Sequence, residues 1–296
     1  MLGPGELRDV VVAIELAPGA DGADPAPTAG SRLALTAAGR LAGVAGARVR
    51  VVHVARGDAL ALEVCERALG VAAAALAADG LEASTDLAIG SARERLAALV
   101  GDADLLVLGR NDHRSHAPGA LRRVGSVANA ALRDARPHVW LASAEADHWP
   151  PRHLVAALDD DDDHVLDAAL SLAARWRAGL AVVRVLTRTP SLQLAGELDA
   201  HRNERRAALR AQVAAAAARV APGLDAEAID VRAGYDTPEH GIAAVAEQTV
   251  ADVCVLGVTP RRGLARWVVG TTAERMLDDV RGAILVVREP VRAAGA

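Results

Sequence analysis

Two glycines near the end of the chain form the arrangement that best fits ligand chemistry. Gly257 follows a short apolar run, and Gly270 precedes two hydroxyl residues, Thr271 and Thr272. A glycine at a strand end allows a sharp turn, and the free N–H groups at a helix start bind anions. The spacing therefore predicts an anion site between Gly257 and Gly270, although the same glycines also suit ordinary packing of a strand against a helix.

A run of five aspartates, Asp159–Asp163, lies where another strand is expected to end. Three interpretations are open. The run is a solvated loop whose last residue caps the next helix, or its carboxylates recruit Mg²⁺ or Ca²⁺, or Asp159 alone contacts a ligand. The pattern of residues does not choose among them.

The composition excludes several kinds of active site. The 33 basic residues are all arginine, so the chain has no lysine for a Schiff base or a Walker A phosphate loop. The C-x-x-C, H-E-x-x-H and G-x-S-x-G motifs are also absent. Asp112, His113 and His116 are expected to lie in a surface loop and not to bind a metal. We therefore expect a binding module with no catalytic residues and no metal site.

Charge and hydropathy narrow the class of partner. The net charge is −5, Phe is absent and there is one Tyr, a composition that disfavours nucleic-acid binding. No apolar stretch is long enough to span a membrane, and no leader precedes the first strand, so we expect a cytoplasmic protein. Cys65 and Cys254 lie in apolar runs and are expected to be buried thiols.

The elements that must position these residues alternate between strands and helices. Strands are expected at 9–14, 48–54, 83–89, 104–108 and 138–142, and again at 153–158, 180–186, 226–232, 253–256 and 283–287. Helices are expected at 31–44, 58–79, 91–101 and 125–134, and again at 163–178, 190–220, 238–249 and 270–280. This order predicts parallel sheets with helices on both faces, in which ligands bind at the carboxyl ends of the strands.

The second half repeats the first. The segment Ala103–Gly109 matches Ala251–Gly257, and Gly125 with Ser126 matches Gly270 with Thr271. We therefore predict two tandem α/β domains, at residues 1–146 and 152–296.

The glycine spacing and the duplication resemble the universal stress protein family, specifically its tandem two-domain E-type. The family motif is a glycine, two residues, a second glycine, nine residues, a third glycine and then Ser or Thr. Gly257, Gly270 and Thr271 fit this motif, whereas Pro260 stands at the second glycine. The resemblance covers nearly the whole chain and is strongest at 234–288.

This resemblance implies a doubly wound, five-stranded parallel sheet of adenine-nucleotide-binding type in each domain, with the domains pairing through their last strands as an internal pseudo-dimer. It implies a stress-response module that binds ATP with Mg²⁺ in domain 2 and is not a dedicated enzyme, being at most a slow ATPase. Asp159 would contact adenosine. The residues implied at the phosphate side are Leu256, Gly257, Thr259, Pro260, Gly270, Thr271 and Thr272.

Departures from the motif support a second interpretation. Pro260 has no N–H and a fixed φ, so one backbone donor is lost. In the first half, Glu15 replaces the strand-end Asp and Asp112 replaces the second glycine, which predicts a domain that does not bind nucleotide. The alternative is a tandem stress protein that does not bind nucleotide and instead binds an apolar small ligand or a protein partner. With either interpretation, a homodimer beyond the internal pairing stays open.

Overall fold

The computed structural model contains two compact units, whose main segments are residues 2–147 and 148–281. The structure describes residues 7–19, 24–55, 57, 59–110, 126–144, 148–159, 162–186, 195–258 and 279–289. The domain limits expected from the sequence, and the pairing of the domains through their last strands, stay predictions.

The first half contains five parallel strands. They are β1 (Asp9–Ala13), β4 (Arg48–Ala55), β5 (Ala83–Ile89), β6 (Leu105–Gly109) and β7 (His138–Ala142). Their order in the sheet is β5-β4-β1-β6-β7. Two very short strands, β2 (Leu16–Ala17) and β3 (Ala26–Pro27), form an antiparallel ribbon inside the segment expected to be a plain loop.

The helices of the first half are α1 (Ala29–Ala45), α2 (Ala59–Ala78), α3 (Ala92–Val100) and α4 (Ser126–Asp134). Helix α1 begins at Ala29, whereas the sequence predicted a start at residue 31. Thr28 is the N-cap, and its side chain accepts a hydrogen bond from Ser31 N, so Ser31 lies inside the first helical turn. An N-cap side chain reaches the third N–H of the helix, which is why two nearby hydroxyl residues are hard to separate by sequence.

The second half repeats this architecture. Its strands are β8 (His153–Ala157), β9 (Gly179–Leu186), β10 (Asp230–Tyr235), β11 (Val253–Val258) and β12 (Ala283–Arg288), in the order β10-β9-β8-β11-β12. Pairs β10–β9, β9–β8 and β8–β11 are parallel. The helices are α5 (Asp163–Trp176), α6 (Ala195–Val220) and α7 (Pro238–Gln248), whereas the expected helix at 270–280 falls almost entirely outside the described residues.

One strand boundary in the second half differs from the expectation. Ala226–Ala228 form a 3-10 turn whose N-cap is Asp225, and β10 begins only at Asp230. The Asp225 side chain accepts a hydrogen bond from Glu227 N at 3.0 Å, which stabilises the turn. An aspartate that bonds to the backbone two residues later favours a turn over a strand.

The core lies around the central strand of each sheet. Val10, Val11 and Val12 of β1 have no exposed surface, and Val155 and Ala156 of β8 have none either. Strands covered by helices on both faces are apolar at consecutive positions, as the sequence predicted. Both cysteines are buried, which confirms the expectation for Cys65 and Cys254. Among the described helices, none combines the length and the hydropathy that a membrane span requires.

The amino ends of the two sheets are held in the same way. Asp104 Oδ2 accepts hydrogen bonds from Arg8 N at 2.7 Å and Asp9 N at 2.9 Å. Asp252 Oδ2 accepts from Arg152 N at 2.6 Å and His153 N at 3.0 Å. In each half, an aspartate therefore fixes the start of the central strand. Asp104, which precedes β6, fixes β1, and Asp252, which precedes β11, fixes β8. The matching Ala-Asp pairs in the sequence are explained by this contact.

Candidate functional site

The strand order places the candidate site at the carboxyl ends of β8 and β11. In each sheet the chain order reverses beside the central strand, and this is where open parallel sheets bind ligands. Leu256 of β11 pairs with Ala157 of β8, so Gly257 and the exit of β8 lie at the same sheet edge. Asp159 follows β8 by two residues and is exposed. Asp159 and Gly257 therefore lie at the carboxyl ends of neighbouring strands, at the same edge of the sheet, and their sharing of one ligand stays a prediction.

Asp162 is a residue of this site that the sequence reasoning missed. Its side chain is buried, and its Oδ2 accepts a hydrogen bond from Asp159 N at 2.9 Å. Burial raises the pKa of the Asp162 carboxyl above its ordinary value, although the bond from Asp159 N and the nearby His164 act in the opposite direction. A buried carboxylate at this edge places negative charge beside the expected ligand position.

Gly257 is required by packing at this edge. A Cβ on Gly257 would lie 2.8 Å from Val165 Cγ2 and 3.0 Å from Asp162 Oδ1. Both distances are shorter than ordinary van der Waals contacts, so the first turn of α5 approaches β11 only because position 257 has no side chain. Leu256 is buried within β11, so its side chain belongs to the core and only its backbone faces this edge.

The run of five aspartates divides into residues with different roles. Asp159 is exposed, Asp162 is buried, and Asp163 accepts a hydrogen bond from Gln212 Nε2 at 2.7 Å. The N-cap of α5 is Asp162 and not Asp163, and its side chain makes no capping hydrogen bond to α5. These three carboxylates therefore do not converge, and among the described residues no group of three acidic, histidine or cysteine side chains is arranged to hold a metal ion.

Arg184 and Gln212 extend the polar network beneath the exit of β8. Arg184 lies on β9, is buried, and donates from Nη2 to the carbonyl oxygen of Asp159 at 3.1 Å. The same nitrogen donates to Oε1 of Gln212 on α6, also at 3.1 Å. Neither residue was singled out by the sequence, because one arginine within an apolar strand and one glutamine within an alanine-rich helix carry no motif.

The corresponding edge of the first half is filled by α1. Glu15 N donates to Ser31 Oγ at 2.7 Å, and the Glu15 carbonyl accepts from Thr28 N at 2.9 Å. A Cβ on Gly109 would lie 2.1 Å from the carbonyl oxygen of Gly30. The backbone of α1 thus lies directly against β6, whereas in the second half side chains at the start of α5 lie against β11.

The strand registers align the two edges residue by residue. Ala13 pairs with Val52 and Leu108, and Ala157 pairs with Val183 and Leu256. Glu15 and Asp159, two residues beyond Ala13 and Ala157, are therefore equivalent. In the neighbouring strands, His53 is equivalent to Arg184, and Gly109 is equivalent to Gly257.

Several residues predicted at the site cannot be compared with the geometry. Thr259, Pro260, Gly270, Thr271 and Thr272 lie outside the described residues, as do Asp112, His113 and His116. Their assignment to the phosphate side, or to a surface loop, stays a prediction.

Comparison with known proteins assigns a family to the second half of the chain. The model of the universal stress protein family matches residues 151–288. No curated protein sequence matches the chain significantly. A universal stress protein from Archaeoglobus fulgidus DSM 4304 has a similar structure, with a TM-score of 0.67 and 17% identity over 95% of this chain and 98% of that chain.

A second solved structure shows the same two-part fold. It is a functionally unknown protein from Pseudomonas aeruginosa PAO1, with a TM-score of 0.66 and 21% identity over 95% of this chain and 92% of that chain. Similarity at these identities shows that the α/β fold extends over both halves. Residues 151–288 therefore form a universal stress protein domain, while the first half shares its α/β fold.

Proposed function

We propose that this universal stress protein is a cytoplasmic binding and regulatory module that takes one adenine nucleotide, ATP with Mg²⁺, in its second half. It acts by occupancy and not by catalysis. The observation that supports this most directly is the contrast between the two strand edges. At the second edge Asp159 is exposed beside Gly257, whereas at the first edge Gly30 presses against Gly109.

The family resemblance supplies the roles of the individual residues. Asp159 contacts the adenosine, because its carboxylate extends from the exit of the central strand. The resemblance assigns the phosphate side of the ligand to Leu256, Gly257, Thr259, Pro260, Gly270, Thr271 and Thr272. Mg²⁺ arrives with the nucleotide and is held mainly by phosphate oxygens.

Calorimetric titration with ATP and Mg²⁺ tests this proposal. We expect one site per chain in the wild type, no binding in Gly270→Val, and unchanged binding in Gly125→Val, the matched substitution in the first half. Absence of heat in the wild type at millimolar ATP would refute the proposal. Equal loss in both variants would show that the substitutions act through stability and not through the site.

The buried Asp162 favours a second candidate function. Its carboxylate lies against Gly257, and a negative charge here opposes a triphosphate, although Arg184 and His164 offset part of that charge. The second candidate is a stress protein that binds an uncharged, apolar small molecule or a protein partner at the same edge. Native mass spectrometry separates the two functions, because a co-purified apolar molecule supports this candidate and a ligand-free chain that takes up only ATP rejects it.

A further inference from the structure

Both backbone groups of Asp159 are held by buried side chains. Its N–H donates to Asp162 Oδ2 at 2.9 Å, and its carbonyl oxygen accepts from Arg184 Nη2 at 3.1 Å. Asp162 is 7% exposed and Arg184 is 8% exposed. The residue between these two anchors is itself exposed. A loop residue whose backbone is fixed on both sides can point its side chain only along the few rotamers that this backbone allows.

We propose that Arg184 is a positioning residue for the candidate site, which fixes the exit of β8 so that the Asp159 side chain is presented to the ligand. The inference rests on the proposed function for the identity of that ligand. The positioning itself concerns the ligand-free chain, where Arg184 already contacts the Asp159 carbonyl.

The guanidinium suits this role better than other side chains. It stays charged at all physiological pH values and offers several donors in a rigid plane. Arg184 uses Nη2 for two acceptors, the Asp159 carbonyl and Gln212 Oε1. Gln212 donates in turn to Asp163 at the start of α5. The chain of contacts therefore joins β9, α6, the start of α5 and the exit of β8.

In the first half, different groups fix the backbone at the end of the central strand. The Glu15 backbone is held by Thr28 and Ser31, both from the start of α1. His53, which is equivalent to Arg184, contacts the carbonyl of Ile14 through Nδ1 at 2.9 Å, one residue before Glu15. In the first half the helix start approaches the strand end and closes the edge. In the second half the start of α5 holds the Asp159 N–H through a side chain, Asp162, and the Asp159 carbonyl is held from β9 by Arg184.

Hydrogen exchange of the ligand-free protein tests the positioning directly. In Arg184→Met we expect the peptide covering 154–165 to exchange about tenfold faster, since one charge-assisted hydrogen bond is worth roughly that factor. Arg206→Met is the matched control, because Arg206 also donates to a backbone carbonyl, that of Val231, at 2.9 Å. This control should leave the exchange of 154–165 unchanged.

Two further variants keep the test decisive if Arg184→Met folds poorly. Arg184→Lys retains one cationic donor and should restore slow exchange in part. Gln212→Leu leaves the buried guanidinium in place, removes its second acceptor and should accelerate exchange at 154–165 by a smaller factor. Thermal unfolding of each variant separates a local change from global destabilisation.

ATP titration of the same variants measures the consequence for binding. We expect the Kd for ATP to rise about tenfold in Arg184→Met and to stay unchanged in Arg206→Met. If the wild type takes up no ATP, the proposed function fails, while the exchange comparison still decides the inference. Unchanged exchange at 154–165 in Arg184→Met would overturn the inference, whatever happens to binding.

Discussion

The two halves of the chain agree at the amino ends of their strands and differ at the carboxyl ends. Asp104 and Asp252 make the same pair of bonds to the start of the central strand. At the opposite edge, the backbone of Gly30 contacts Gly109, whereas Gly257 contacts side chains of α5. The contact at the amino ends holds the central strand in place, whereas open parallel sheets bind ligands at the carboxyl ends of their strands. The two halves have therefore kept the contacts at the amino ends of the strands and differ in those at the carboxyl ends.

The largest expected effect comes from adding one methyl group at the two equivalent glycines. In Gly109→Ala, the Cβ meets backbone atoms of Gly30, which cannot move without displacing α1, so we expect a loss of about 4 kcal/mol or more in the free energy of unfolding. In Gly257→Ala, the Cβ meets side chains that can rotate, and we expect a loss of about 1–3 kcal/mol.

Urea unfolding of the two variants measures this difference. Conservative substitution at an exposed glycine, Gly70→Ala, provides the control because nothing lies within 4 Å of its added Cβ. A Gly257 variant as unstable as the Gly109 variant would contradict the view that the first edge is closed by backbone and the second by side chains.

Loss of the aspartate at the amino end of the sheet should destabilise the fold equally in both halves. Asp104→Ala and Asp252→Ala each remove the acceptor of two backbone N–H groups. We expect each to lower the free energy of unfolding by about 2–3 kcal/mol, because hydrogen bonds to a charged acceptor are worth more than neutral ones. Urea unfolding checks this, and a loss confined to one half would break the equivalence at the amino ends.

Sequence patterns predicted the fold well because burial on both faces leaves a strong apolar signal. The limits of β5 and β7 match the expectation at both ends, and Asp159 and Gly257 lie at one edge as predicted. What the sequence could not show was which aspartate of the run turns inward. That choice depends on the space above Gly257, a contact between α5 and β11 that no local pattern records.

Bound nucleotide should slow amide hydrogen exchange at the carboxyl ends of the strands in the second half but not in the first. At a concentration 100 times the Kd, ATP stabilises its site by about 2.7 kcal/mol. We expect slower amide exchange at Leu158–Asp159 and at Gly257–Val258, and unchanged exchange at Ile14–Glu15 and Gly109–Arg110. Amide hydrogen exchange measured with and without ATP and Mg²⁺ tests this prediction. Equal protection at both edges would show that the first half binds nucleotide despite the contact between Gly30 and Gly109.

The smallest expected effect concerns the charge of Asp162, a buried carboxyl without a counterpart among the described residues of the first edge. Burial raises the pKa of this carboxyl in the folded chain, so the folded state holds its proton at pH values where the unfolded state has released it. Stability from this group is therefore fully present below the ordinary aspartate pKa and is lost as the pH rises through the raised value. Asp162→Asn retains an acceptor for Asp159 N but cannot ionise.

We therefore expect Asp162→Asn to be more stable than the wild type at neutral pH, by about 1 kcal/mol, the scale of one buried polar group that is imperfectly neutralised. The difference should vanish as the pH falls below the ordinary aspartate range, because the wild type is then protonated in both states. Thermal unfolding from acidic to neutral pH follows this, with Asp163→Asn as the exposed control. A variant less stable than the wild type at neutral pH would mean that the ionised carboxylate is compensated in the fold. The argument that Asp162 opposes a triphosphate beside Gly257 would then lose its basis.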